Sequence, residues 1–170
     1  KPIQNKRALN YILDYFNRVD NKEFDDLIHQ AAEIIVNSHE VICSGIGLSD
    51  AIAKFASSLF NRKGKRTMYS GDFSSRFRGM YDQNDCALFF TVSGETREII
   101  DRIKDLKKYD IKIIVVTNNA SSSAAKMSDL ALTYYMPSTK NGDFYSSATQ
   151  VPVLYIIESI ANLFIEYGIY

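Results

Sequence analysis

Short apolar runs alternate with amphipathic segments along the chain between residues 41 and 135. Runs rich in β-branched and aromatic residues are typical of strands, and strands that alternate with helical patterns predict βαβ units and a parallel sheet. The predicted strands are Val41–Ser44, Arg66–Tyr69, Cys86–Thr91, Ile111–Thr117 and Leu130–Tyr135. The third and fourth are apolar on both faces, which indicates central strands covered by helices.

Apolar residues between these strands recur with the period of an α-helix. The predicted core stripes of two such helices are Ile52, Phe55, Ala56 and Leu59, and Ile99, Ile100, Ile103 and Leu106. Further helices are expected over Arg7–Val19, after a capping box formed by Asp20 and Glu23, and over Val151–Tyr167. The polar connection Pro137–Ser147 is expected to be a mobile loop. The whole pattern predicts an α/β protein, a three-layer α-β-α sandwich around a five-stranded parallel sheet.

Composition and charge narrow the function classes. The 170 residues are 46% hydrophobic, enough for one globular domain with its own core. Because Lys and Arg number 20, and Asp and Glu also number 20, no overall field attracts nucleic acid or an anionic membrane. Glu158 and Asn162 interrupt the most apolar stretch, which indicates a buried helix rather than a membrane span. Cys43 and Cys86 are expected to be reduced and buried, as in a cytoplasmic protein.

Two turns at the ends of predicted strands carry the candidate chemistry. Gly45-Ile46-Gly47-Leu48-Ser49 follows the first strand, and Thr91-Val92-Ser93-Gly94-Glu95-Thr96 follows the third. Ligands of open parallel sheets bind at the carboxyl ends of the strands, where helix N-termini offer unpaired N–H groups to anions. Ser and Thr hydroxyls add neutral donors, so the turns predict a phosphate cradle that needs no lysine, metal or cofactor. The alternative for a single Ser or Thr at a helix start is an N-cap.

The segment Ser93-Gly94-Glu95-Thr96-Arg97-Glu98 resembles the Ser-Gly-x-Thr-x-Glu signature of the sugar isomerase (SIS) domains, which have a flavodoxin-like fold. Gly45-x-Gly47-x-Ser49 resembles the first binding turn of that family, and Thr117-Asn118 with residues 122–129 resembles its segment after the fourth strand. The resemblance runs from about Phe24 to the C-terminus and implies a sugar phosphate or amino-sugar phosphate ligand. The ligand-binding residues that it implies are Gly45, Gly47, Leu48, Ser49, Thr91, Ser93, Gly94, Thr96, Ser122 and Ser123.

Single SIS domains are either small isomerases of sugar phosphates or effector domains of bacterial RpiR-type regulators. Aldose–ketose isomerisation requires a base, and Glu158, in the middle of an apolar helix, is the candidate. His29 and His39 are expected to be exposed and remote from both turns. Because residues 69–85 resemble the regulators more closely, the favoured hypothesis is a phosphosugar-sensing domain of a regulator of carbohydrate metabolism, with no catalytic residues. The alternative is a hexulose-phosphate isomerase-like enzyme that uses Glu158 as general base.

The resemblance also bears on domain organisation and partners. Residues 1–21 are expected to be a helical remnant of a linker to an absent helix-turn-helix domain, because the chain starts at Lys1 without a methionine, and residues 22–170 are the SIS domain. A helical stretch of this length is too short for a three-helix DNA-binding domain and is not notably basic. The chain is therefore expected to form a homodimer or tetramer and to reach DNA only through the absent domain.

Overall fold

The computed structural model describes residues 3–74, 80–136 and 149–170. Its strands are β1 (Val41–Gly45), β2 (Thr67–Tyr69), β3 (Cys86–Thr91), β4 (Lys112–Thr117) and β5 (Leu130–Thr133). Its helices are α1 (Ile3–Val19), α2 (Lys22–Asn37), α3 (Leu48–Arg62), α4 (Arg97–Lys107), α5 (Ser123–Met127) and α6 (Val151–Asn162), which continues as a 3₁₀ turn at Leu163–Tyr167.

The five strands form one sheet in the order β2-β1-β3-β4-β5, and every pairing is parallel. This is the flavodoxin-like strand order. All six residues of β3, the central strand, are buried. The predicted α/β fold with a five-stranded parallel sheet is therefore confirmed.

Helices cover both faces of the sheet. Alternate side chains of β3 divide between two cores, because successive residues of a strand point to opposite faces. Leu88 and Phe90 pack with buried residues of α1, α2, α3 and α6, whereas Ala87 and Phe89 pack with Ile99 of α4 and with α5. The result is the expected three-layer sandwich.

The first helix packs on this domain rather than standing apart from it. Tyr15 of α1 is buried, and its ring meets that of Tyr155 of α6 edge-on, with 6.4 Å between the ring centroids. The division of the chain at residue 21 remains a prediction. None of the helices that the structure describes is long and apolar enough to cross a bilayer.

Element ends differ in several places from the predicted ones. Helix α2 is capped by Asn21 instead of Asp20, because the Asn21 Oδ1 accepts a hydrogen bond of 3.0 Å from the Phe24 N–H. Phe55 lies on the outer side of its helix and is 38% exposed, so the predicted stripe is narrower than expected. The fifth strand is shorter than predicted and ends at Thr133. The predicted loop Pro137–Ser147 lies outside the described residues.

The two cysteines are free and fully buried, as expected. Burial raises the pKa of the Cys86 thiol to about 12 and holds that of Cys43 well above its ordinary value. Because the thiolate is the reactive form, both residues serve the core and not chemistry.

Candidate functional site at the switch point of the sheet

The crevice at the carboxyl ends of β1 and β3 is the topological switch point of this sheet. The connection through α3 leads from β1 to β2, whereas the connection through α4 leads from β3 in the opposite direction to β4. Neighbouring strands whose connections diverge leave a crevice between their carboxyl ends, and ligands of such sheets bind there. Gly45 lies opposite Phe90 in the β1–β3 ladder, so the two predicted turns begin side by side.

The turn after β1 brings the backbone close to this crevice. A Cβ on Gly45 would lie 2.2 Å from the Ser49 carbonyl oxygen, so no other residue fits. Gly47 has φ +66° and stands at the N-cap position of α3, where no side chain caps the helix. Ser49 is buried in the first turn of α3, and Leu48 before it is 71% exposed. The first N–H groups of α3 therefore face the crevice without a side-chain cap.

The turn after β3 displays hydroxyl groups beside the start of α4. Thr91 Oγ1 accepts a hydrogen bond of 3.2 Å from the Gly94 N–H, and Ser93 Oγ accepts one of 3.1 Å from the Glu95 N–H. Ser93 is exposed. Thr96 occupies the N-cap position of α4, but its side chain makes no capping hydrogen bond. A capping role therefore does not explain its hydroxyl, which keeps its donor for a ligand.

The turn after β4 supports the β3 turn from the side. The Gly94 carbonyl accepts a hydrogen bond of 3.0 Å from the Ala124 N–H, and Glu95 Oε1 accepts one of 2.8 Å from the Ser123 N–H. Ser122 is fully buried, and its hydroxyl caps α5 by accepting from the Ala125 N–H at 3.3 Å. In this arrangement Ser122 and Ser123 hold the cradle in place, while Ser93 and Thr96 line it.

The charges near the crevice are paired among themselves. Tyr69 donates a hydrogen bond to Asp50, and Lys54 forms an ion pair of 2.9 Å with the same carboxylate. Burial acts to raise the pKa of Asp50, but these two hydrogen bonds outweigh it and hold that pKa below its ordinary value. Arg97, at the start of α4, lies 3.6 Å from Asp101. A bound anion would therefore meet N–H and hydroxyl donors first.

Sequence reasoning assigned no role to Asp50, Tyr69 or Glu95. Asp50 lies in the first turn of α3, where an acidic residue favours the helix dipole, and that local role hid its contact with the next strand. Tyr69 ends β2 at the same edge of the sheet. The Ser123 N–H lowers the pKa of Glu95, which keeps this carboxylate ionised as a clamp between the β3 and β4 turns.

The candidate general base is not at the crevice. Glu158 is exposed on α6. Gln150, just before α6, is hydrogen-bonded to Tyr134 near the carboxyl end of β5, and seven residues of helix from Val151 carry Glu158 about 10 Å away from that edge. His29 and His39 are exposed as predicted, and His39 precedes β1 at the opposite edge of the sheet.

The sequence matches known proteins over most of its length. The family model of the SIS domain matches residues 34–156. An uncharacterized HTH-type transcriptional regulator of Thermotoga maritima is 27% identical over 137 residues, which are 79% of this chain and 48% of that protein. A second such regulator, from Clostridium perfringens, is 29% identical over 85% of this chain and 54% of its own length. The chain thus spans about half the length of these curated relatives.

Solved structures share the fold. The sugar isomerase domain of an RpiR transcription factor from Sphaerobacter thermophilus superposes with a TM-score of 0.79 at 18% identity, covering 98% of this chain and 90% of that one. The NanR protein of Vibrio vulnificus, complexed with ManNAc-6P, gives 0.78 at 22% identity, with 96% and 61% covered. The E. coli CFT073 protein c3406, in complex with a sugar phosphate, gives 0.78 at 21% identity, with 95% and 88% covered. With the signature turns at the switch point and the family model matched over most of the chain, this protein belongs to the SIS domain family.

Proposed function

We propose that the chain is the sugar-phosphate-sensing domain of an RpiR-type transcriptional regulator of carbohydrate metabolism. The observation that carries this proposal is the pairing of two uncapped helix starts, those of α3 and α4, with hydroxyl-bearing turns at the switch point. The similarity to HTH-type regulators over most of the chain supports the regulatory role. The complexes of NanR with ManNAc-6P and of c3406 with its sugar phosphate support a phosphorylated sugar as ligand.

Phosphate would be held by neutral donors in this site. Ser93 and Thr96 supply hydroxyls, the first turns of α3 and α4 supply N–H groups, and Ser49 lies between the two turns. A helix N-terminus carries a partial positive charge, so two of them directed at one crevice stabilise a dianion without a lysine. Gly45, Gly47 and Gly94 allow the backbone to approach the ligand, and Leu48 contributes its N–H at the start of α3.

Sensing fits the position of the acidic residue better than catalysis does. A general base must lie within hydrogen-bond reach of the proton that it abstracts. Glu158 is exposed and about two helical turns from the edge that carries the cradle. A role as sensor requires only that the ligand bind two arrangements of the protein with different affinity. A homodimer or tetramer, a cytoplasmic location and a DNA-binding domain outside residues 1–170 complete the proposal.

Ligand binding tests the proposal directly. We expect at least one member of a panel of hexose, pentose and amino-sugar phosphates to raise the melting temperature. At a ligand concentration 100 times the dissociation constant the gain is about 2.7 kcal/mol, roughly 5–10 °C for a chain of this size. Ser93→Ala and Thr96→Val should each weaken binding roughly ten- to hundredfold, because each removes a hydrogen bond to a charged group.

Two controls make this test decisive. Ser58 is exposed on α3, well away from its first turn, so Ser58→Ala should bind like the wild type. Aldose–ketose conversion of the same panel is followed by NMR. Full-strength binding by both cradle variants would show that the site is misplaced. Turnover that Glu158→Gln abolishes would establish the isomerase and overturn the sensor.

A further inference from the structure

Tyr135 has an unusual backbone conformation just beyond β5. Its φ is +49°, and in the described part of the chain it shares a positive φ with only one other non-glycine residue, Asp110 at +57°. Asp tolerates this region because its short side chain bonds locally, whereas a bulky aromatic residue there is a genuine outlier. Such outliers persist only where the surroundings enforce them, and they cluster at ligand sites.

The two neighbours of Tyr135 enforce this conformation. Tyr134 is buried, and its hydroxyl is hydrogen-bonded to Gln150. Met136 is also buried, and the Asn118 side chain holds its backbone twice, by donating to the Met136 carbonyl at 2.7 Å and by accepting from the Met136 N–H. With both flanking side chains directed inward, the Tyr135 side chain is forced outward and is 57% exposed.

The anchor of this segment is continuous with the phosphate cradle. The Val92 carbonyl in the β3 turn accepts hydrogen bonds from the Asn118 N–H at 3.0 Å and from Thr117 Oγ1 at 3.2 Å. Asn118 in turn fixes Met136. One chain of hydrogen bonds therefore runs along the carboxyl edge of the sheet, from the cradle through the β4 turn to the residue after Tyr135.

The distance along this edge suits a ligand longer than phosphate. Parallel strands lie about 4.8 Å apart, so the end of β5 is about 10 Å from the end of β3, two strands away. A phosphate bound at the α4 start would leave the carbon chain of its sugar free to extend toward β5. The exposed aromatic ring offers an apolar surface for the C–H groups of a sugar, together with a hydroxyl at its tip.

We propose that Tyr135 is a specificity-determining residue, a fixed wall that contacts the sugar moiety of the bound sugar phosphate. This inference rests on the proposed function of the same site. Backbone strain at this position holds the ring in place before the ligand arrives, so that binding does not have to order it. The tyrosine then discriminates between a sugar phosphate and phosphate alone, which reaches only the cradle.

The test compares the two kinds of ligand on three proteins. Dissociation constants are measured by calorimetry for inorganic phosphate and for the sugar phosphate that stabilises the wild type most. Tyr135→Asn removes the ring but suits a positive φ, so it should fold normally. We expect it to weaken sugar phosphate binding about fivefold or more, the effect of losing roughly 40 Å² of apolar contact, with no change for inorganic phosphate. Tyr135→Phe should retain most of the affinity.

Each other outcome has a definite meaning. Tyr109 is an exposed tyrosine just before β4, at the opposite edge of the sheet, so Tyr109→Ala should bind both ligands like the wild type. An unchanged sugar phosphate affinity in Tyr135→Asn overturns the inference, and so does an equal loss for both ligands, which would indicate damage to the cradle. If the wild type binds no ligand of the panel, the proposed function itself fails.

Discussion

Replacing Gly94 by alanine tests whether the cradle depends on close contact between two turns. Gly94 has φ +67°, and an added Cβ would lie 2.0 Å from the Ser122 Oγ and 2.3 Å from its Cβ. Ser122 is fully buried, so it has no free space to move into. The left-handed conformation costs a residue with a Cβ about 1–2 kcal/mol, and overpacking a buried contact adds about 1–3 kcal/mol. We expect Gly94→Ala to lose about 2–5 kcal/mol of unfolding free energy.

Gly47 is a matched control for this substitution. It has nearly the same conformation, with φ +66°, but an added Cβ would meet nothing within 4 Å. Gly47→Ala should therefore show the backbone cost alone, about 1–2 kcal/mol. Urea unfolding of both variants, analysed with the slope of the wild type, isolates the steric part as the difference between them.

A second substitution should relieve the clash. Ser122→Gly removes both atoms that the new Cβ would meet, although it also removes the cap of α5. Relative to the two single variants, the double variant should regain about 1–3 kcal/mol of coupling energy. The reasoning is refuted if Gly94→Ala is no less stable than Gly47→Ala, or if the double variant shows additive losses.

Two further predictions concern side chains that sequence reasoning left out. The folded pKa of Asp50 lies below its unfolded value, so its ionised form, held by Tyr69 and Lys54, adds stability at neutral pH and loses it as pH falls through the folded pKa. Asp50→Asn should therefore melt below the wild type at pH 7, and the gap should narrow below about pH 4; a constant gap from pH 7 to pH 3 would contradict this. Arg102 is buried and donates at 2.8 Å to a carbonyl in the loop after β2, so Arg102→Met should cost about 2 kcal/mol in urea unfolding, whereas the exposed Arg97→Met should cost under about 0.5 kcal/mol; equal losses would count against it.

The elements of this fold are legible in the sequence because their signals are local. The β3 sequence is apolar on both faces and is buried throughout, and the stripe that includes Ile99 and Ile103 faces the core. Element ends were harder to predict, since they depend on which of several adjacent side chains forms a particular bond. Asp20 and Asn21 are both good N-caps by composition, and only the backbone geometry selects Asn21.

The sequence by itself determined the strands, the helices and the two turns that resemble the SIS signature, because each depends on residues close together in the chain. Only the tertiary structure brought those turns to one switch point, placed Ser122 beneath Gly94, joined Asp50 to Tyr69 and moved Glu158 away from the crevice. Strand order and contacts between loops are set by packing among residues far apart in the chain, and the pattern of a single segment carries no record of them.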